Sequence, residues 1–229
     1  NADEHIALIK RAGEQGVDLI VFPELSLSGY AIDDLLLPAA LLAAVERQLE
    51  RVAEAAEAAG LVAVVGAPVR NGDALFNCAV VLGSGAVLGV APKTYLPNYR
   101  EYYEKRQFAS SRDAISREVP LFGNRIPFGN DLIFAASNVK DFAMHLEICE
   151  DVWAPIPPST FGALAGATIL ANLSASNITV GKIDYRRELC AIRSGAYIAA
   201  YLYSGAGPGE STTDVAWDGH AMVYENSDL

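Results

Sequence analysis

In FAMHLEICEDVW, residues 142–153, the apolar Phe142, Met144, Leu146 and Ile148 alternate with Ala143, His145, Glu147 and Cys149. Alternation of period two predicts a β-strand with one apolar face. Glu150 and Asp151 follow at once, and an inner strand does not continue into two charges. The strand is therefore expected to end at Cys149, with the thiol on the face opposite the apolar row. A free cysteine is ordinarily a small buried hydrophobe. One ringed by acids at a strand's carboxyl end reads instead as a candidate nucleophile.

Two other segments repeat the arrangement. DLIVFPEL, 18–25, delivers Glu24 just past an apolar run, and AVLGVAPKTYLP, 86–97, delivers Lys93 in the same way. Asn172 follows a third run, TILA at 168–171. Ligands of open α/β sheets gather beyond the carboxyl ends of strands, so an acid, an ammonium and a thiol at three such ends form a candidate amide-cleaving site. A thiol attacks as thiolate, and its ordinary pKa is about 8.5. The neighbouring Glu147, Glu150 and Asp151 disfavour a second negative charge, so a base and a cation are required. Glu24 can accept the thiol proton and return it to the leaving amine. Lys93 and the backbone N–H of Glu150 can hold the oxyanion of a tetrahedral intermediate that collapses to a thioester. Singly, Glu24 reads equally as a turn cap and Lys93 as a solvated lysine; their coincidence with Cys149 carries the argument. The rival cysteine–histidine pair fails on distance, because four residues of strand put His145 about 13 Å from Cys149.

Near-continuous apolar runs at 19–22, 61–65, 168–171 and 197–203 predict strands covered on both faces. Between them, 41–59 reads as a helix ending on Gly60. Residues 182–196 read as another, with Ile183, Leu189 and Ile192 inward and the arginines outward. An N-terminal helix points Ile6, Leu8 and Ile9 inward, and LFNCAVVLGSGAVLGVAP, 75–92, reads as a hairpin turning at Gly83-Ser84-Gly85. This order predicts α/β architecture, a mixed sheet with helices on one side, in a single domain over 1–229. Residues 98–130 show no clear period and read as a long functional loop. GAGPGES, 205–211, lacks the GK[ST] of a phosphate loop and reads as a turn before a strand around Trp217.

The 229 residues hold 17 basic and 28 acidic side chains, a net charge of -11. That argues against a nucleic-acid partner, which needs a concentrated basic surface. Three cysteines without a CxxC pair form neither a disulfide framework nor a zinc motif, so a reducing cytoplasm and no metal are expected. Cys78 and Cys190 read as packing residues. No run approaches the ~20 apolar residues of a membrane span, and the pattern of a signal peptide's n-region and h-region is not seen. The chain opens on a helix with no strand before it and closes on polar YENSDL, the pattern of an excerpt with truncated termini.

The Glu24, Lys93 and Cys149 segments together resemble the nitrilase, or carbon–nitrogen hydrolase, superfamily. PELSLSGY (23–30), PKTYLPNYREYYEKRQF (92–108), EICEDVW (147–153) and NLSASN (172–177) resemble more narrowly the glutaminase domains of glutamine-dependent NAD synthetases. The resemblance runs over nearly the whole chain. It implies a four-layer α-β-β-α sandwich that hydrolyses L-glutamine and passes ammonia to a synthetase domain of the same polypeptide. It also implies that Glu104 buttresses the triad and that Tyr99, Glu150, Ser176 and Lys182 bind substrate. Lys182 stands where some relatives carry arginine, so it would offer the substrate carboxylate a point charge rather than a fork. ATP and magnesium belong to the synthetase domain, whose SGG-type loop is absent here, and no cofactor is implied for this one. Self-association is a further expectation from the superfamily. The alternatives are a free-standing amidase, carbamoylase or nitrilase of the same superfamily, or a non-catalytic scaffold domain.

Overall fold

The computed structural model describes residues 1–229. In chain order the elements are α1 (Ala2–Glu14), β1 (Leu19–Val21), α2 (Ala39–Ala59), β2 (Val62–Asn71), β3 (Ala74–Gly83), β4 (Ala86–Pro92), β5 (Glu118–Leu121), β6 (Asn124–Pro127), β7 (Ile133–Ala135), β8 (Ala143–Ile148), α3 (Pro158–Leu164), β9 (Ile169–Ser174), α4 (Lys182–Tyr197), β10 (Ala200–Gly205) and β11 (Ala221–Tyr224).

Two main sheets form where the order of elements alone predicts one. The first runs β1-β2-β3-β4 and the second β11-β10-β9-β8-β7, with β5 and β6 as a separate hairpin. In the first, β1 pairs parallel with β2 while β2, β3 and β4 are antiparallel. In the second, β8, β9 and β10 are parallel and the two edge strands antiparallel.

Side-chain alternation stacks these sheets. Along β2 and β3, Ala63, Val65, Cys78 and Val80 pack with Ile9, Leu49 and Val52 of α1 and α2. The intervening Val64, Ala79 and Val81 meet Met144, Leu146 and Ile148 of β8 and Ala171 and Leu173 of β9. The outer face of the second sheet, Leu170, Tyr201 and Tyr203, packs with Cys190 of α4. Period-two alternation in both sheets thus produces α-β-β-α layering, the architecture implied by resemblance.

Several local expectations give way. On α1, Leu8 is exposed, and the inner face is Ala2, His5, Ile9 and Ala12. On α4, Ile192 is exposed while Arg186 is buried in an ion pair with Asp218. A charge satisfied by a buried partner overrides the hydrophobic pattern. The stretch 98–130 holds short 3-10 turns and the β5–β6 hairpin. The last strand begins at Ala221, beyond Trp217, whose ring packs edge-on against Tyr30. The hairpin between β3 and β4 turns through Ser84 and Gly85, both at positive φ, the geometry such two-residue turns require.

Gly66 of β2 lets the backbone carrying Glu24 approach the sheet. A Cβ at Gly66 would lie 2.2 Å from Leu25 N and 2.4 Å from Pro23 O. Gly66→Ala is expected to cost about 1–3 kcal/mol or more through overpacking and to displace Glu24. Thermal denaturation checks this against Gly72→Ala, where a Cβ meets nothing within 4 Å and only left-handed strain is added. Equal losses in the two variants would contradict the close approach.

Candidate active site

β1 and β4 run in the same direction within the first sheet, so their carboxyl ends open at one edge, with Glu24 and Lys93 just beyond. The backbone of Lys93 is fixed from both sides: its N–H donates to Asn77 O at 2.8 Å, and its carbonyl accepts from Ser111 N at 2.8 Å. Its side chain is wholly buried, and Nζ donates to Glu24 Oε1 at 2.6 Å and Glu104 Oε1 at 2.7 Å. An ammonium has three N–H groups, so one remains for a ligand. Burial opposes its charge, but the Glu104 and Glu24 carboxylates outweigh that and hold its pKa well above the ordinary lysine value.

Glu24 is equally constrained. Its Oε1 accepts from Asn77 Nδ2 at 2.6 Å as well as from Lys93, and Oε2 accepts from Ala175 N at 2.7 Å. With two lone pairs per oxygen, Oε1 is full and Oε2 has one place for a proton. Glu104 Oε1 accepts from Lys93 and, at 2.8 Å, from Tyr30 Oη. Its Oε2 is buried without a partner. Burial raises the Glu104 pKa to about 7, with Lys93 pulling it down and Glu24 pushing it up. Oε2 is the atom free to take that proton.

Cys149 follows β8 and opens a 3-10 turn, Cys149–Trp153, with φ of 44°. Left-handed backbone is strained for any residue with a Cβ. It breaks the strand's alternation, so Cys149 packs with Met144, Leu146 and Ile148 on the inter-sheet side rather than opposite them. That corrects the face expected from the sequence. Burial, then the Glu24 carboxylate, push the thiol pKa up, while Lys93 and the Ala175 N–H act to lower it. Ala175 N–H, which donates to Glu24 Oε2 at 2.7 Å, thus acts on both the carboxylate and the thiol. At rest the sulfur carries its proton.

A cleft of about 380 Å³ lies over Cys149, lined by Tyr99, Glu150, Trp153, Ser176, Asn177 and Lys182 among others. Tyr99 is exposed, and its hydroxyl donates to Glu150 Oε1 at 2.9 Å. Glu150 pushes the Tyr99 pKa, already raised by burial, to about 12. Burial likewise raises Glu150 and lowers Lys182 from their ordinary values. Lys182 Nζ donates to Asn177 Oδ1 at 2.5 Å and lies 5.7 Å from the Trp153 ring centre. Ser176 is buried with an unpartnered Oγ.

All eight side chains singled out in the sequence are thereby brought to one region. Asn172 lies inside β9 rather than at its end, with Nδ2 3.5 Å from Cys149 O. His145 points the other way: Nε2 bonds Asn130 O at 3.0 Å, and a Cβ on Gly162 of α3 would touch its ring. Sequence reasoning missed Asn77, Tyr30, Asn177, Asp151 and the Ala175 N–H. Asn77 carried a signal, an amide inside the apolar run LFNCAVV; a backbone donor carries none.

A family model for the carbon–nitrogen hydrolases matches residues 1–225. The sequence is 50% identical over 230 residues to the glutamine-dependent NAD(+) synthetase of Mycobacterium tuberculosis, covering 100% of this chain and 34% of that protein. The crystal structure of a glutamine-dependent NAD(+) synthetase from Cytophaga hutchinsonii aligns with a TM-score of 0.87 and 25% identity, covering 100% of this chain and 36% of that one. The NitN amidase of Nesterenkonia sp. AN1 shares the fold, with a TM-score of 0.78 at 19% identity over 100% of this chain and 80% of its own. The chain spans about a third of the length of the curated relatives it matches.

The raised Glu104 pKa has a thermodynamic consequence. A carboxyl that holds its proton more tightly folded than unfolded adds stability that is full below 4.5 and is lost as pH rises through about 7. Between pH 5 and 7.5 the wild type is expected to lose stability, on the order of 2–3 kcal/mol, that Glu104→Gln does not lose. Denaturant unfolding at the two pH values measures the difference. Parallel loss in both proteins would contradict it.

Proposed function

This chain belongs to the carbon–nitrogen hydrolase family, and from that premise we propose that it is a glutaminase, cleaving the side-chain amide of L-glutamine through a thioester on Cys149. The observation that carries this reading is the fully buried Lys93 ammonium, shared by Glu24 at 2.6 Å and Glu104 at 2.7 Å beside a strained cysteine. Breaking such a pair by removing one partner typically costs about 3–5 kcal/mol, so the arrangement is costly to build for packing alone.

In the proposed reaction, the Cys149 S–H proton passes to Glu24 Oε2 as sulfur bonds the amide carbon. Charge developing on the amide oxygen is met by the third N–H of Lys93 and the Glu150 backbone N–H. The C–N bond then breaks, the proton on Glu24 moves to the leaving nitrogen, and ammonia departs from a thioester. Glu24 next draws a proton from water, whose oxygen attacks the thioester carbon; glutamate leaves and the thiol is restored. Throughout, Glu104 keeps Lys93 charged and in place. Tyr99, Glu150, Ser176 and Lys182 hold the amino-acid end of the substrate. The raised thiol pKa supports a paired proton transfer to Glu24 over a standing thiolate.

The ammonia serves NAD synthesis in a synthetase segment of the same polypeptide, which also takes the ATP and magnesium. The names and lengths of the relatives support that reading. The three free, buried cysteines accord with a reducing cytoplasm, and no helix of the structure is long and apolar enough to cross a membrane.

The test is ammonia release from glutamine by the purified chain. Cys149→Ala and Glu24→Gln are each expected to lower it at least about 10³-fold, near the scale seen for removal of a nucleophile or its partner. A glutamine-like diazo-ketone is expected to form its adduct on Cys149, read by mass spectrometry. An adduct confined to Cys78 or Cys190 contradicts the assignment. Release from other amides but not glutamine points to the amidase alternative, and none from a folded chain points to a scaffold.

A further inference from the structure

The two halves of the proposed site lie on different sheets, Lys93 at the end of β4 and Cys149 at the end of β8. One side chain bonds directly to the backbone of both strand ends. Asp151 is 1% exposed and sits two residues past Cys149 on the same 3-10 turn. Its Oδ1 accepts from Tyr95 N at 2.8 Å and Thr94 N at 3.1 Å, the two residues that follow Lys93. Its Oδ2 accepts from Ile148 N at 2.9 Å, the residue that precedes Cys149.

We infer that Asp151 is a positioning residue: its carboxylate ties the Lys93 strand end to the Cys149 turn and so sets where the sulfur sits relative to the ammonium. The inference deepens the thioester reading and rests on it. All three partners are backbone N–H groups, those of Thr94 and Ile148 buried and that of Tyr95 partly so, and a carboxylate satisfies them at once because both oxygens accept. Charge-assisted bonds of this kind are roughly twice as strong as neutral ones. They also supply the restraint that the left-handed Cys149 backbone needs in order to persist. An asparagine cannot substitute: its amide nitrogen would face an N–H, so either the Thr94–Tyr95 segment or the Ile148 N–H must be released. Glu147 does not share the task. It is buried on the α3 side of β8, accepting from Ser159 N at 3.0 Å and from the Tyr201 hydroxyl. Burial, then Glu147, push the Asp151 pKa up, and the Ile148 and Tyr95 N–H groups oppose them. The geometry favours the charged form, because every group facing the carboxylate in these bonds is a donor.

Two variants test this, Asp151→Asn and Asp151→Glu, the latter keeping the charge but moving it by one methylene. The readouts are the rate of Cys149 alkylation by iodoacetamide from pH 6 to 10, followed by mass spectrometry, and kcat and KM for glutamine. Both variants are expected to fold with lowered Tm, to alkylate at Cys149 at least about tenfold more slowly across that pH range, and to lose about 10–100-fold in kcat with KM within about threefold. A misplacement of the order of 1 Å carries that scale of penalty. Lowered Tm with alkylation and kcat unchanged would make Asp151 merely structural and overturn the proposal. Failure of both variants to fold overturns it as well, assigning the carboxylate to global stability. If the wild type releases no ammonia, the functional reading fails, while the alkylation profile still decides the role of Asp151.

Discussion

An ammonium removed entirely from water and shared by two carboxylates is the constraint around which the structure is arranged. Lys93 cannot be left alone in the interior, because the desolvation of an unpaired charge far exceeds what packing returns. Its partners must come to it from distant parts of the chain. Glu24 arrives from β1, across the sheet from β4, and Asn77 of the intervening β3 holds its Oε1. Glu104 arrives from the loop after β4 and is itself held by Tyr30. The second sheet contributes Ala175 N–H to Glu24 and the Cys149 turn beside it. Each carboxylate satisfies several donors at once, so the charges are fixed without a substrate, and in the proposed reaction a developing oxyanion would be met without reorganisation.

The layering that presents these groups follows from strand periodicity. β2, β3, β8 and β9 are buried on both faces, and alternate residues enter different clusters: toward the helices on one side, toward the other sheet on the other. Pattern alone reveals that such strands are covered twice, but not by what. This is why the order of elements suggested one sheet with helices on one side when there are two sheets face to face. The distinction is a matter of long-range partners, and only the resemblance to known sandwiches supplied it.

The site was legible to the extent that it used side chains of conspicuous chemistry at strand ends. Glu24, Lys93 and Cys149 stood out because a charge or thiol interrupted an apolar run, and one cleft over Cys149 is lined by Tyr99, Glu150, Ser176 and Lys182, the residues for which the resemblance implies substrate binding. What was illegible was backbone. The alternation of β8 put Cys149 on the wrong face because a single positive φ, carried by no glycine, reverses it. The Ala175 N–H has no sequence signature. Asp151 read only as one more negative neighbour of the thiol, whereas its carboxylate is turned to three N–H groups. Helical pattern failed at two positions of α4: Arg186 turns inward to a buried ion pair with Asp218, and Ile192 is exposed.

In the proposed reaction a sulfur, an ammonium and a carboxylate meet at one substrate carbon. The most direct measurement is a crystal structure of the chain trapped as its covalent adduct with the glutamine-like diazo-ketone. The account predicts sulfur of Cys149 bonded to the ligand, the ligand's carbonyl oxygen within hydrogen-bond reach of Lys93 Nζ and the Glu150 N–H, and Glu24 in contact with the sulfur. A ligand whose carbonyl oxygen turns away from Lys93, or a Cys149 sulfur out of reach of Glu24, would contradict it.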